Sequence, residues 1–252
     1  MNLIQSFFIA FSMYSKIPMP RVSWNEKNME YAFCFFPWIG CVIGITIWGA
    51  GSCLSYLEVT PVFFSVCMTV IPILITGGIH MDGFLDTIDA LSSYGEQEKK
   101  LAILKDPHAG AFAIIGCGVY LLWSIGIWSE ALPQVLPMIA CEYALSRTLS
   151  GLSMVRFRLA KNTGLAAAFQ DGAKRRKVGI VMLIYLVLIV LIMSGIHLFL
   201  TLFVVGFAML CYRYYRTISY KKFGGITGDL AGYFLQICEL GMITITIIGA
   251  KL

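Results

Sequence analysis

Seven stretches of this chain, residues 31–57, 61–79, 109–129, 131–155, 178–195, 197–212 and 228–250, are apolar over nearly the length a helix needs to cross a bilayer. About 20 mainly apolar residues cover roughly 30 Å of hydrocarbon. The pattern predicts an all-α, polytopic membrane bundle of about seven transmembrane helices. Composition agrees: 58% of the 252 residues are hydrophobic and 13% are charged, against about 25% charged in a soluble domain. A globule of this size has too little interior to hide so much apolar surface from water. Intrinsic disorder is excluded, the lipid bilayer is the first expected partner, and a net charge of +5 gives no reason to expect nucleic acid. The eight cysteines lie within apolar runs without a CxxC pair, so they read as free thiols serving as small hydrophobes.

Short links without basic residues, at 57–61, 129–133 and 194–197, read as tight helical hairpins. Residues 2–14 are apolar but too short to span, and Pro18 and Pro20 follow, so this segment reads as an interfacial or re-entrant helix. The lysines and arginines fix the sides. Residues 15–30 hold three (Lys16, Arg21, Lys27) and the loop after span two holds three more (Lys99, Lys100, Lys105). The loop after span four holds seven, including Lys161 and the 174–177 run, and the segment after span six holds four (Arg213, Arg216, Lys221, Lys222). Of the nineteen, only Arg147 and Lys251 fall elsewhere. Basic segments stay inside, so the expectation is a multi-pass plasma (inner) membrane protein with a cytoplasmic N-terminus. Residues 1–252 read as one membrane domain with cytoplasmic excursions near 80–108 and 156–177.

The chemistry concentrates on the cytoplasmic side. In the GGIHMDGFLDTIDA stretch at 77–90, Asp82, Asp86 and Asp89 stand at offsets 0, 4 and 7. On a helix these fall on one face, where three carboxylates repel unless a cation sits among them. Hard oxygen ligands suit Mg²⁺ or Mn²⁺, which bind through a few carboxylates plus substrate phosphates; a solvated acidic face is the plainer alternative. Pro107 and Asp106 read as the first position and N-cap of the third span, with a metal or base role for Asp106 as the alternative. His80 and His108 flank this face and are candidates for phosphate contact or proton transfer, or are simply structural. The turn GGITGD at 224–229 opens the last span. There, Gly225 and Thr227 are placed to present an anion site at a helix N-terminus, and Asp229 to cap the helix or ligate a metal. Arg147, inside span four, is expected to pair with Glu142, with an aspartate of the cluster or with a substrate phosphate. Lys16, Lys105 and Lys161 lie at the same surface as phosphate-binding candidates. With no Ser-His-Asp order and no nucleophilic cysteine setting, the residues point to metal-assisted phosphoryl or pyrophosphate chemistry.

These motifs resemble the cobalamin synthase family, the adenosylcobinamide-GDP ribazoletransferases. The matching pieces are SKIPMP at 15–20, GGIHMDGFLDTIDA at 77–90, KDPHAGAF at 105–112, the Ser146-Arg147 region, residues 160–165 and GGITGD at 224–229. The resemblance implies a membrane enzyme joining adenosylcobinamide-GDP to α-ribazole or its 5′-phosphate, with release of GMP and with Mg²⁺ as cofactor. Asp82, Asp86 and Asp89 would hold the metal, and Asp229 or His80 would take the hydroxyl proton. A homo-oligomer is left open. Lys16 and Lys161 stand where members often carry arginine, and KDPH replaces KDSR, which loosens any role for His108. A CDP-alcohol phosphotransferase uses similar logic but wants DGxxAR after its first aspartate. An aromatic-acceptor prenyltransferase needs a second aspartate-rich loop. A cation-coupled transporter would use Glu142, Glu239 and Arg147, yet it gathers its charge at the midplane rather than at one face.

Overall fold

The computed structural model describes residues 2–160 and 174–252. Among the described residues, ten α-helices follow in order: α1 Asn2–Tyr14, α2 Glu26–Met29, α3 Phe36–Tyr56, α4 Pro61–Thr76, α5 Ile79–Ser92, α6 Gln97–Ile103, α7 Ala111–Trp128, α8 Leu136–Arg156, α9 Arg175–Phe223 and α10 Gly228–Gly249. The pairing between residues 158–160 and Ile226 is a single isolated bridge. The all-helical bundle expected from the apolar runs is what forms, and all eight cysteines are free.

By length and apolarity, four of the described helices qualify as membrane spans, or five when α4 and α5 count as one bent pair. The remaining crossings come from two departures from a simple apolar rod. The first is α9, whose 49 residues would extend about 74 Å at 1.5 Å per residue, far beyond one bilayer. His197 alone leaves helical geometry (φ −157°, ψ 100°), and its Nδ1 accepts the Leu200 N–H at 3.2 Å, capping the second arm. The arms run antiparallel. On the way out, Met182 packs at Gly151 and Tyr185 accepts from Trp38 Nε1; on the way back, Phe207 packs at Gly241 and Tyr215 stacks on Phe234. The link expected at 194–197 is thus compressed to one residue. The return arm runs on to Phe223, so Arg213, Arg216, Lys221 and Lys222 sit on helix rather than in a loop. Such long side chains keep their charge in water while the stems cover apolar surface, and Arg216 lies 5.2 Å from the Tyr220 ring centroid.

The second departure is α8, too polar to pass as a span yet almost wholly buried. The outer surface is apolar, and the few charges at membrane depth face the interior, which is otherwise an apolar core, as the cost of charge in lipid requires. Ile184, Val187 and Leu191 of α9 are exposed, whereas Glu142, Ser146 and Arg147 of α8 are at most 1% exposed. Arg147 Nη1 pairs with Glu239 Oε1 of α10 at 2.6 Å and also donates to the Tyr143 carbonyl at 3.1 Å. Ser146 donates to the same Glu239 oxygen at 2.7 Å, and Glu142 accepts from Thr246. Helix α3 packs antiparallel on α8 through Gly40 and Gly44, where a Cβ would run into the Tyr143 and Ala140 carbonyls. Small residues at such i, i+4 spacing let backbones approach where no hydrophobic effect drives association.

One side of the bundle, the basic face, carries the basic segments; the opposite, far face carries the short links and the Lys251–Glu130 ion pair. Two outcomes follow for detergent-solubilised protein. Gly44→Val should cost about 1–3 kcal/mol, as overpacking does, and lower the melting temperature. Gly49→Val, whose Cβ meets nothing within 4 Å, should leave it unchanged. Arg147→Leu should cost about 3–5 kcal/mol by leaving Glu239 buried and unpaired, and the double variant Arg147→Leu/Glu239→Leu should recover much of that loss.

Candidate active site

Helix α4 has 16 residues, about 24 Å of rise, and stops short of a full crossing. Gly77 (φ 65°) and Gly78 (φ 79°) are both left-handed, a conformation costing an L-residue roughly 1–2 kcal/mol, and α5 leaves at 97° to α4. The expected span 61–79 therefore ends at Thr76, because the double glycine turns the chain rather than merely thinning it for packing. Lys16 belongs to this joint. Its N–H donates to the Ile75 carbonyl at 2.7 Å and its side chain packs on Gly77, where a Cβ would displace it.

The rest of α5 is held as firmly. Gly83 lies so close to α10 that a Cβ would come within 2.7 Å of the Asp229 Cα, and Gly232 answers it, with the His80 carbonyl at 2.8 Å from its own would-be Cβ. At the C-terminal end, Lys100, 5% exposed, donates Nζ hydrogen bonds to the carbonyls of Ala90 (2.8 Å) and Ser93 (2.5 Å), satisfying orphan acceptors with a cation at the negative end of the helix. The sequence pattern counted Lys100 only as a topology marker.

This frame settles where the carboxylates go. Asp82 is exposed and Asp86 half-buried on α5, and among the described residues neither makes an ion pair or a side-chain hydrogen bond. Asp229, in the first turn of α10, comes to near backbone contact with α5 at Gly83; burial first, then the like charges of Asp82, Asp229 and Asp89, push the Asp86 carboxyl up to about 6. Asp89 has a different occupation: its Oδ2 accepts the Gly110 N–H at 2.5 Å and its Oδ1 the Ala113 N–H at 3.0 Å. It therefore caps α7 from a distance, the task expected of Asp106. That expectation is corrected, because α7 begins at Ala111 rather than at Pro107. Asp106 instead accepts the His108 N–H at 3.0 Å, and the two side chains meet at 2.8 Å in the open. The His108 backbone N–H, then its ring, hold the Asp106 carboxyl below the usual carboxylate range.

A cavity of about 450 Å³ lies between α1, α5, α8 and α10 and the α6–α7 connection. Of the sequence candidates, His80, Asp82, Lys105, Thr227 and Asp229 line it. Thr227 is the N-cap of α10, accepting the Leu230 N–H at 3.2 Å and donating to Asp229 Oδ2 at 3.4 Å. Gly225 is buried behind the wall against the Leu159 backbone, where it permits the strand-like contact between 158–160 and Ile226. Arg147 does not line the cavity; among the protein partners expected for it, it pairs with Glu239 rather than with Glu142 or an aspartate of the cluster. Lys161 lies outside the described residues. Among those residues, no group of three or more His, Cys, Asp or Glu is arranged to hold a metal ion. Asp82, Asp86 and Asp229 nonetheless fit a hard divalent cation in kind, being oxygen donors without protein counter-charge, provided that water and phosphate oxygens complete the shell as they commonly do for Mg²⁺.

Sequence reasoning missed the opposite wall. Tyr14, Phe33 and Phe36 line the cavity from α1, the 3-10 turn at Ala32–Phe35 and the first residue of α3. The only signal was aromatic density near a span end, which looks the same as an interfacial aromatic belt facing lipid.

With this geometry in place, comparison with known proteins adds the lineage. A curated protein of Lachnoclostridium phytofermentans named adenosylcobinamide-GDP ribazoletransferase is 49% identical over 240 residues, covering 95% of this chain and 92% of that one. Proteins of the same name from Clostridium botulinum and Treponema denticola are 31% and 32% identical, covering 95% and 96% of each chain respectively. No solved structure matches. The family model described as cobalamin-5-phosphate synthase matches residues 6–247, and the chain belongs to that family.

Proposed function

We propose that this cavity is the active site of a cobalamin-biosynthesis transferase that joins adenosylcobinamide-GDP to α-ribazole or its 5′-phosphate and releases GMP. The observation that carries the reading is the approach of Asp82, on the helix that also carries Asp86, to Asp229 at the N-terminus of α10, on a cavity that Lys105 also lines. A ribose hydroxyl attacks the phosphorus nearer the corrinoid, the bond to the bridging oxygen breaks, and GMP leaves with that oxygen. Asp229, which among the described residues forms no ion pair, is placed to take the hydroxyl proton. Lys105 offers positive charge to the departing phosphate. Asp82, Asp86 and Asp229 are the residues to hold a magnesium ion, which when bound supplies neutralisation of the diphosphate charge. Asp89 contributes by fixing α7 against α5. The buried Arg147–Glu239 pair, which a transporter would use, is here closed on itself, and neither residue lines the cavity.

In lipid-embedded protein, Asp82→Asn and Asp86→Asn should each lower GMP release at least ~10²-fold, the scale of removing one charge-stabilising group, and chelation should abolish it. Asp89→Asn should lower stability by about 1 kcal/mol, as loss of a cap does. Near-normal turnover in both Asp82→Asn and Asp86→Asn would refute the assignment.

The same reading places the basic face in the cytoplasm of a cell whose plasma membrane holds the chain. A cysteine substituted for Tyr94, fully exposed on the basic side, should resist a membrane-impermeant maleimide in intact cells, in a background lacking the native cysteines. One substituted for Glu58, in the far-face link, should be labelled; the opposite pattern would invert the topology.

A further inference from the structure

The acidic wall accounts for the diphosphate and leaves the aromatic wall without a task. There, the His80 ring stacks on Tyr14 (centroids 5.9 Å apart, planes 20° apart) and meets Phe36 edge-on at 5.9 Å, while Tyr14 and Phe36 lie 4.6 Å apart. His80 is 4% exposed and, among the described residues, its Nε2 has no hydrogen-bond partner. A buried polar atom left unpaired is costly, and each such atom in a folded protein calls for an explanation. At a cavity wall, the natural one is a ligand atom.

We propose that His80, with Tyr14 and Phe36, forms the subsite for the aromatic azole base of the acceptor nucleoside. The His80 Nε2–H donates to the base's unglycosylated ring nitrogen. The inference rests on the transferase reading and deepens it. A flat, bicyclic, weakly polar base suits a wall of ring faces and edges, where offset and edge-on contacts are favourable. The cavity of about 450 Å³ falls within the range of small-ligand pockets, roughly 300–1,000 Å³. It accommodates a nucleoside but not a corrin macrocycle, so the corrinoid remains outside and presents only its diphosphate. With the base against α1 and α3, the ribose reaches toward Asp229 on the facing wall. His80 is thereby a binding and positioning residue for the acceptor, and proton removal stays with Asp229.

The test measures binding of α-ribazole to full-length protein in nanodiscs by equilibrium dialysis, without the donor, for wild type, His80→Phe and His80→Gln. A second ligand, indole riboside, replaces the bare ring nitrogen with C–H. Wild type should bind α-ribazole at least ~10-fold more tightly than indole riboside, since a site built to hydrogen-bond rejects an analogue lacking the partner. His80→Phe should bind both ligands equally weakly, while His80→Gln, which keeps an N–H donor, should retain part of the preference. Melting temperatures identify any variant that fails to fold, and indole riboside bound to wild type supplies the same comparison without a mutation. Equal affinity of wild type for the two ligands, or full α-ribazole affinity in folded His80→Phe, overturns the subsite. Turnover of adenosylcobinamide-GDP by wild type is scored separately: its absence alongside His80-dependent binding would sink the transferase reading and leave the subsite standing.

Discussion

Two adjacent glycines in left-handed geometry decide how this membrane protein comes to possess a polar site at all. A straight continuation of α4 past Thr76 would carry Asp82, Asp86 and Asp89 along a single rod with no facing partner. Turned by 97° at Gly77 and Gly78, α5 instead lies across α7 and α10. Non-helical backbone near membrane depth is tolerated where protein or an aqueous cavity surrounds it, and here Lys16 and the chain after α1 close over the turn.

From that turn the remaining constraints follow in order. Gly83 and Gly232 bring α5 and α10 to near backbone contact, which places Asp229 opposite the α5 carboxylates and leaves His80 pressed among aromatic rings. Lys100 finishes the C-terminal end of α5, and Asp89 ties it to the first turn of α7. The acidic face is therefore a rigid surface held at both ends, as electrostatic preorganisation demands. The charge buried deeper in the bundle, Arg147 with Glu239, serves the packing of α8 on α10 instead.

Much of this was legible before any coordinates. The apolar runs yield the bundle, alternation of basic and bare links yields the hairpins, and the spacing of Asp82, Asp86 and Asp89 places them together on α5. Gly77 and Gly78 are plain in the sequence, yet nothing local to them fixes a turn. That both adopt positive φ depends on the tertiary fit of α5 against α10, which local pattern does not encode. Asp89 as a remote cap was hidden for a related reason: its partners, Gly110 and Ala113, lie more than twenty positions away, whereas Asp106 stood where local rules look for a cap. The reversal at His197 was hidden because histidine carries no turn signal of the glycine or proline kind. The aromatic wall escaped because apolar side chains facing lipid and facing a cavity read alike.

The reversal at His197 has a consequence for traffic through the molecule. With α3 and α4, α7 and α8, and the two arms of α9 each joined by a few residues or by one, the far side has almost no polypeptide from which to build a doorway. On the proposed reading, donor, acceptor and departing nucleotide would all exchange with the compartment on the basic face. Successive rounds then queue: the spent nucleotide has to clear the mouth before the next donor can settle, and a surplus of that nucleotide would compete with the donor for the same approach.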